Sequence, residues 1–258
     1  FHYRSVEGVS DDRLESFFVD AKLYHSAVAD LNDPFEARPH YNGPQTKAER
    51  DQVLTNFFKT TVNQGYSPDT AVRGVVRLLN DPDRITKSVH AAALESFSLV
   101  RMHSFTLTNS NLLMWSHYGD SHKGICVEFD ATVIPVCGAR RVRYQDEYPT
   151  LDFPVPEDDL IHRVTLTKSS HWSYESEFRS LHTPEAGNVL PSDGNFLLLT
   201  KEAVSAVYFG ASMKPAQKSR ILNMIDQGPF EPRIYDGQLS ASRFEVQFVP
   251  RPKAVRKG

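Results

Sequence analysis

Apolar positions along the chain change period twice. From Thr46 to about Val100 they recur at helical spacing, as Val53, Leu54, Phe57 and Phe58, then Val72, Val75, Val76, Leu78 and Leu79, then Val89, Ala92, Ala93 and Leu94. Ser67-Pro68 and Asp81-Pro82 interrupt this stretch. Each is a capping residue followed by a proline suited to a first helical position, so the pattern predicts three helices in an insertion at about 45–99. On either side the apolar runs are short and bounded by turn residues. They predict strands over Phe1–Ser5, Leu23–Val28, Val100–Leu107, Gly124–Asp130, Ala139–Tyr144, Glu175–His182, Ala203–Gly210 and Phe244–Val249. Three further helices fall between them. One is capped by Ser10 and carries Leu14, Phe17 and Phe18. The second covers roughly Asn111 to Tyr118. The third is opened by Lys214-Pro215, carries Ile221, Leu222, Met224 and Ile225, and ends at Gly228. Strands that cluster instead of alternating with helices predict an α+β fold, with a mixed, mainly antiparallel sheet core and a helical insertion, in a single domain over 1–258.

Composition sharpens this only a little. At 258 residues the chain is near the upper size of one hydrophobic core, and its 40% hydrophobic and 11% aromatic content suits a packed interior. The formal charge of −3 comes from 29 basic and 32 acidic residues mixed along the chain, which names no electrostatic partner. The densest basic stretches, Arg140, Arg141 and Arg143, then Arg251, Lys253, Arg256 and Lys257, read as a strand edge and a terminus. Two cysteines, Cys126 and Cys137, suit a reducing compartment. No apolar stretch reaches the ~20 residues of a membrane span, and the opening FHYRS reads as part of a strand rather than a leader. A cytoplasmic protein without a membrane partner is expected.

Four clusters hold more polar and aromatic residues than packing requires. On the opening strand, alternation sends His2 and Arg4 to one face and Tyr3 to the other. The run Asn32-Asp33-Pro34-Phe35-Glu36 is a turn former. In Leu113 to Gly124, a helix bearing Trp115, His117 and Tyr118 runs into a turn with Asp120, His122 and Lys123. In Trp172 to Arg179, strand alternation places Glu175, Glu177 and Arg179 on one face, which a surface ion-pair ladder would explain without any chemistry. The sequence has no HExxH, no paired CxxC, no G-x-S-x-G and no phosphate-cradling glycine loop. His171 and Glu175 have a helical ligand spacing but fall on a loop and a strand, so no metal is expected there. Asp33, Glu36, Glu128 and Asp130 leave open a magnesium-dependent nuclease.

Taken together, the aromatic strand ending in Tyr3-Arg4, the L-N-D-P-F-E turn, M-W-S-H-Y-G-D-S-H-K-G-I-C-V-E-F-D and K-S-S-H-W-S-Y-E-S-E-F-R resemble a bacterial domain family of unknown function, numbered twenty-nine seventy-one. A second resemblance is to ADP-ribosyltransferases, in the order His2 or Arg4, then Ser104-Phe105-Thr106, then Glu175-Ser176-Glu177. The middle strand departs from that family's S-T-S, and the helical insertion is no part of its minimal core. The second resemblance implies an NAD-dependent ADP-ribosyltransferase-like enzyme or NAD glycohydrolase, with a role in bacterial conflict or defence. Glu177 would be the carboxylate under the developing positive charge, and Glu175 would activate an acceptor. His2, Tyr3, Arg4, Asp33, Ser104, Trp115, His117 and Tyr118 would surround the NAD, and the acceptor would be a protein or a nucleic acid. The competing reading is a ligand-sensing module without catalysis. Under the enzymatic reading the four clusters meet at one cleft, with an arginine or backbone donor holding Glu177 ionised.

Overall fold

The computed structural model describes residues 1–152, 157–184 and 191–252, apart from the side chains of residues 82, 89, 92–94, 96 and 157–160. The expected basic residues Lys253, Arg256 and Lys257 lie outside the described residues, as do the side chains of Val89, Ala92, Ala93 and Leu94. The fold is α+β with mixed, mostly antiparallel sheets. The chain divides into two compact units, one of residues 1–27, 101–142 and 170–258, the other of residues 28–100 and 143–169.

The first unit is built on a five-stranded sheet in the order His2–Arg4, Ile125–Phe129, Val204–Phe209, Arg233–Leu239, Val246–Pro250. Neighbours run antiparallel except Val204–Phe209 and Arg233–Leu239, which are parallel and are connected through the helix Pro215–Gln227. Both faces of this sheet are covered, which is why Ile125 to Phe129 reads as a nearly continuous apolar run. Ile125, Val127 and Phe129 enter one core with Phe17, Phe18, Phe105, Phe209 and Ile221, while Cys126 enters another with Tyr3, Trp115 and Tyr208. A second sheet runs Ser26–Ala27, Arg101–Phe105, Phe178–His182, Arg140–Arg141. A third joins Ser192–Asp193, Phe196–Leu198 and Lys22–Tyr24.

In the second unit the three expected helices are Lys47–Asn63, Pro68–Leu79 and Pro82–Ser98. Their signals work as the sequence implies. Thr46 and Glu49 form a reciprocal capping box, Ser67 accepts from the Thr70 N–H, and Asp81 accepts from the Arg84 N–H. Val53, Leu54, Leu78 and Ile85 form one core, and Ala37, Tyr41, Phe97, Leu151 and Val164 another. The second core is closed by the parallel pair His40–Asn42 and Thr150–Asp152.

Three expectations are corrected. Ser10 stands at the N-cap position of Asp11–Phe18 but makes no side-chain cap bond. The strand expected over Ala139–Tyr144 is two strands: Arg140–Arg141 pairs with Phe178 and Arg179 in the first unit, and Arg143–Gln145 pairs with Thr167–Ser169 in the second. The strand expected over Glu175–His182 begins only at Phe178, because Ser170–Glu175 is a 3-10 turn and Ser176 takes a left-handed φ of 48°. That kink breaks the alternation, so Glu175 and Glu177 do not share a strand face.

Candidate functional site

Histidine and arginine from the opening strand line a cavity of about 460 Å³ inside the first unit. The sheet pairing of His2–Arg4 against Ile125–Phe129 points Tyr3 into the Trp115 core and sends His2 and Arg4 to the opposite face. There they meet Phe17 and Arg13 of the first helix, Lys22 and Tyr24, His103 of the Arg101–Phe105 strand, and Phe196. The Arg4 guanidinium donates to the Arg13 carbonyl at 2.8 Å and lies over the Phe17 ring at 6.0 Å. Burial, with Arg13 nearby, lowers its pKa to about 10.

The imidazoles here form a connected cluster. The rings of His2 and His103 are 4.3 Å apart, those of His25 and His103 5.7 Å, and those of His25 and His182 5.8 Å. His2 Nδ1 is 2.9 Å from the Ser104 carbonyl, and His103 Nδ1 is 2.9 Å from the Tyr24 carbonyl. A carbonyl only accepts, so both rings carry their proton on Nδ1 and, when neutral, present Nε2 as an acceptor. Burial keeps them neutral, lowering His2 and His25 to about 4 and His103 well below the ordinary histidine value. Among the described residues His103 Nε2 has no hydrogen-bond partner.

The glutamates form a second group. Glu175 is held at the end of its 3-10 turn by three bonds to the 106–118 segment. Thr106 Oγ1 donates to its carbonyl at 2.5 Å, Asn111 Nδ2 donates to the Tyr174 carbonyl at 2.8 Å, and the Tyr118 hydroxyl donates to Glu175 Oε1 at 2.6 Å. The two longer sequence motifs thus come together, as expected. Two residues on, Glu177 faces Arg179 in a forked pair, Arg179 Nε to Oε1 at 2.7 Å and a terminal guanidinium nitrogen to Oε2 at 3.0 Å. Both side chains are buried, at 5% and 1% exposure, so this is no surface ladder. Arg179 is also the strand partner of Ser104, whose carbonyl accepts from His2. Neither Glu175 nor Glu177 lines the cavity that takes His2 and Arg4.

Other expected site residues have structural duties. Trp115 is 0% exposed and donates Nε1 to the Asn109 carbonyl at 2.7 Å, so it is core and offers no face to a ligand. Tyr3 packs edge-on against it and donates to the Thr108 carbonyl. His117 is exposed at the end of the Leu112–His117 helix, its ring 6.3 Å from that of Tyr174. The polar turn after this helix is a backbone device. Asp120, Ser121 and His122 are all left-handed, and the His122 and Gly124 carbonyls accept from Ser212 and Gly210. A side chain at Gly124 would collide with the Arg4 carbonyl.

Asp33 belongs to the second unit, where Oδ1 accepts from the Phe35 N–H in the expected turn. Beside it in sequence, Glu36 makes a buried 3.1 Å ion pair with Lys168. Glu128 bonds Tyr208 and Arg233, and Asp130 accepts from Thr132. Among the described residues no group of three or more His, Cys, Asp or Glu is arranged to hold a metal ion. No described helix is long and apolar enough to cross a membrane. The residues that sequence reasoning missed are His25, His103, Arg13 and Lys22. His103 sits on the Arg101–Phe105 strand and His25 in the break between Lys22–Tyr24 and Ser26–Ala27, and only the pairing of Ser26 with Met102 brings them together.

No protein-family model, no curated protein and no solved structure matches the chain.

Proposed function

We propose that the chain is an ADP-ribosyltransferase-like enzyme or NAD glycohydrolase in which Glu177 is the essential carboxylate. One observation carries the reading. Three segments far apart in sequence form a contiguous row: His2 on the first strand donates to the Ser104 carbonyl on the middle strand, Ser104 lies opposite Arg179 in the strand register, and Arg179 grips Glu177. Cleavage of the nicotinamide–ribose bond develops positive charge on the ribose carbon, and an ionised carboxylate stabilises it. The Arg179 fork favours the ionised form of Glu177. In this reading Glu175, which accepts from the Tyr118 hydroxyl, takes a proton from an acceptor hydroxyl through that phenol. The test is nicotinamide release from NAD by the purified chain. Release that falls at least a hundredfold in Glu177→Gln, with the far-UV spectrum unchanged, supports the assignment. No release with any acceptor tried, protein or nucleic acid, removes it.

A second reading is favoured by a separate observation. Both carboxylates are engaged by protein partners, and the cavity holding His2 and Arg4 contains neither. A binding module that recognises an anionic small molecule has no need of a reacting carboxylate. In that case a ligand raises thermal stability, the raise survives Glu177→Gln, and no bond is broken.

A further inference from the structure

We infer that the cavity between the opening strand, the first helix and the Arg101–Phe105 strand is a binding site for a phosphorylated small molecule that also carries a hydroxyl group, with His103 Nε2 as the acceptor for that hydroxyl. The walls share His2 with the row of the catalytic reading but hold neither Glu175 nor Glu177, so binding there is measured apart from NAD cleavage.

The charge of the wall argues for the phosphate. Arg4, Arg13 and Lys22 come from three different elements, and the cavity lining contains one carboxylate, Asp12. Lys22 shares its charge with Asp193 at 3.0 Å, with the two side chains 30% and 66% exposed. Arg4 has only the Arg13 carbonyl and the Phe17 ring, and makes no ion pair among the described residues. A half-buried guanidinium without a counter-ion, beside a second guanidinium, is a costly arrangement that an incoming dianion relieves. A monocarboxylate would neutralise less of it.

The hydroxyl follows from His103. This residue is 8% exposed, lines the cavity, and has Nδ1 committed to the Tyr24 carbonyl. Its Nε2 is a buried lone pair with no donor among the described residues. An unmet buried acceptor is costly, so a donor delivered there is recognised strongly. The neighbouring His2 and His25 rings are also acceptors or engaged, and Arg4 faces the same space; none of them is bonded to His103 Nε2. The remaining wall, Phe17, Leu23, Val127 and the Tyr24–Phe196 ring pair at 5.3 Å, is apolar and takes the ligand's uncharged body. The volume lies in the range of small-molecule sites.

Calorimetry on the full chain with AMP, ribose 5-phosphate, adenosine and inorganic phosphate tests this. AMP and ribose 5-phosphate bind, adenosine and inorganic phosphate bind more weakly, and 2-deoxyribose 5-phosphate loses part of the affinity. Arg13→Gln and Lys22→Gln, both on the accessible side of the wall, each weaken AMP roughly tenfold. His103→Phe abolishes the difference between ribose and deoxyribose phosphates. The inference is overturned if neither AMP nor ribose 5-phosphate binds at millimolar concentration. Equal AMP affinity in the Arg13→Gln, Lys22→Gln double variant overturns it equally. Nicotinamide release is read separately, so failure of one proposal leaves the other standing.

Discussion

At the scale of single residues, the forked pair of Glu177 and Arg179 is a buried ion pair joined by two bonds. Both side chains are out of water. Removing the guanidinium strips a buried carboxylate of a two-bond cationic partner, so Arg179→Met should destabilise the protein by about 3–5 kcal/mol, seen as a lower urea midpoint with an unchanged slope. Glu177→Gln removes the negative charge but retains shape and one acceptor, and its loss should be smaller. A destabilisation of Arg179→Met below about 1 kcal/mol would mean that water reaches the pair. The sequence showed that a charge pair was present but not that it was buried. Two glutamates and an arginine at alternating positions look the same on a surface strand and beside a kinked one. The deciding variable is the φ of Ser176, which no side-chain pattern reports.

Element by element, the segments with strong local codes were legible. The three helices of the insertion start where Thr46, Ser67 and Asp81 cap them, because capping is a bond between neighbours in sequence. Short strands were placed less well. Arg140–Arg141 and Arg143–Gln145 are separate because they have different partners, and partners are long-range facts. The turn from Ser170 to Glu175 shows the same limit. Its shape comes from Thr106, Asn111 and Tyr118, some sixty residues away. The kink that follows is testable. Ser176 at φ 48° accepts glycine without strain, whereas a β-branched residue is forced from its preferred region. Ser176→Gly should therefore leave thermal stability within about 1 kcal/mol of the parent, and Ser176→Val should lower it by about 1–3 kcal/mol. Under the catalytic reading Ser176→Val also loses nicotinamide release, since it re-aims both glutamates. Equal stability of the two variants would show that the left-handed turn is not required.

For the molecule as a whole, the histidine cluster of the first unit sets a response to acid. His2 and His25 have pKa values lowered from 6.5 to about 4, and His103 lies well below 6.5, with burial the largest cause each time. In the unfolded chain these imidazoles take protons near pH 6.5, while in the folded chain His2 and His25 do not until about pH 4 and His103 not until well below 6.5. The unfolded state therefore binds more protons across that window, and stability falls as the pH drops from 6.5 toward 4, with no contribution from these groups above pH 7. For His25 alone, 0% exposed and bonded to the Leu23 carbonyl and Ser180, the loss at the acid end is on the order of 3 kcal/mol. The charged and titratable groups around the cluster are His182, Arg4, Arg13 and Lys22, with Asp12 on the cavity wall. The cations oppose protonation of the rings and so reinforce the direction. Urea unfolding at pH 7.5 and pH 5 measures the effect, and His25→Gln, which keeps a side-chain amide where the ring stood, should flatten the difference. A bound phosphate reverses part of it, because an anion at Arg4 favours the protonated form of the neighbouring His2, while His103 stays neutral to accept the ligand's hydroxyl. AMP should accordingly stabilise the chain more at pH 5.5 than at pH 7.5, even though AMP itself is less charged at the lower pH. The same stabilisation at both pH values, with His25→Gln indistinguishable from the parent, would place the acid sensitivity in carboxylate pairs such as Glu177–Arg179 and remove the histidine cluster from the account.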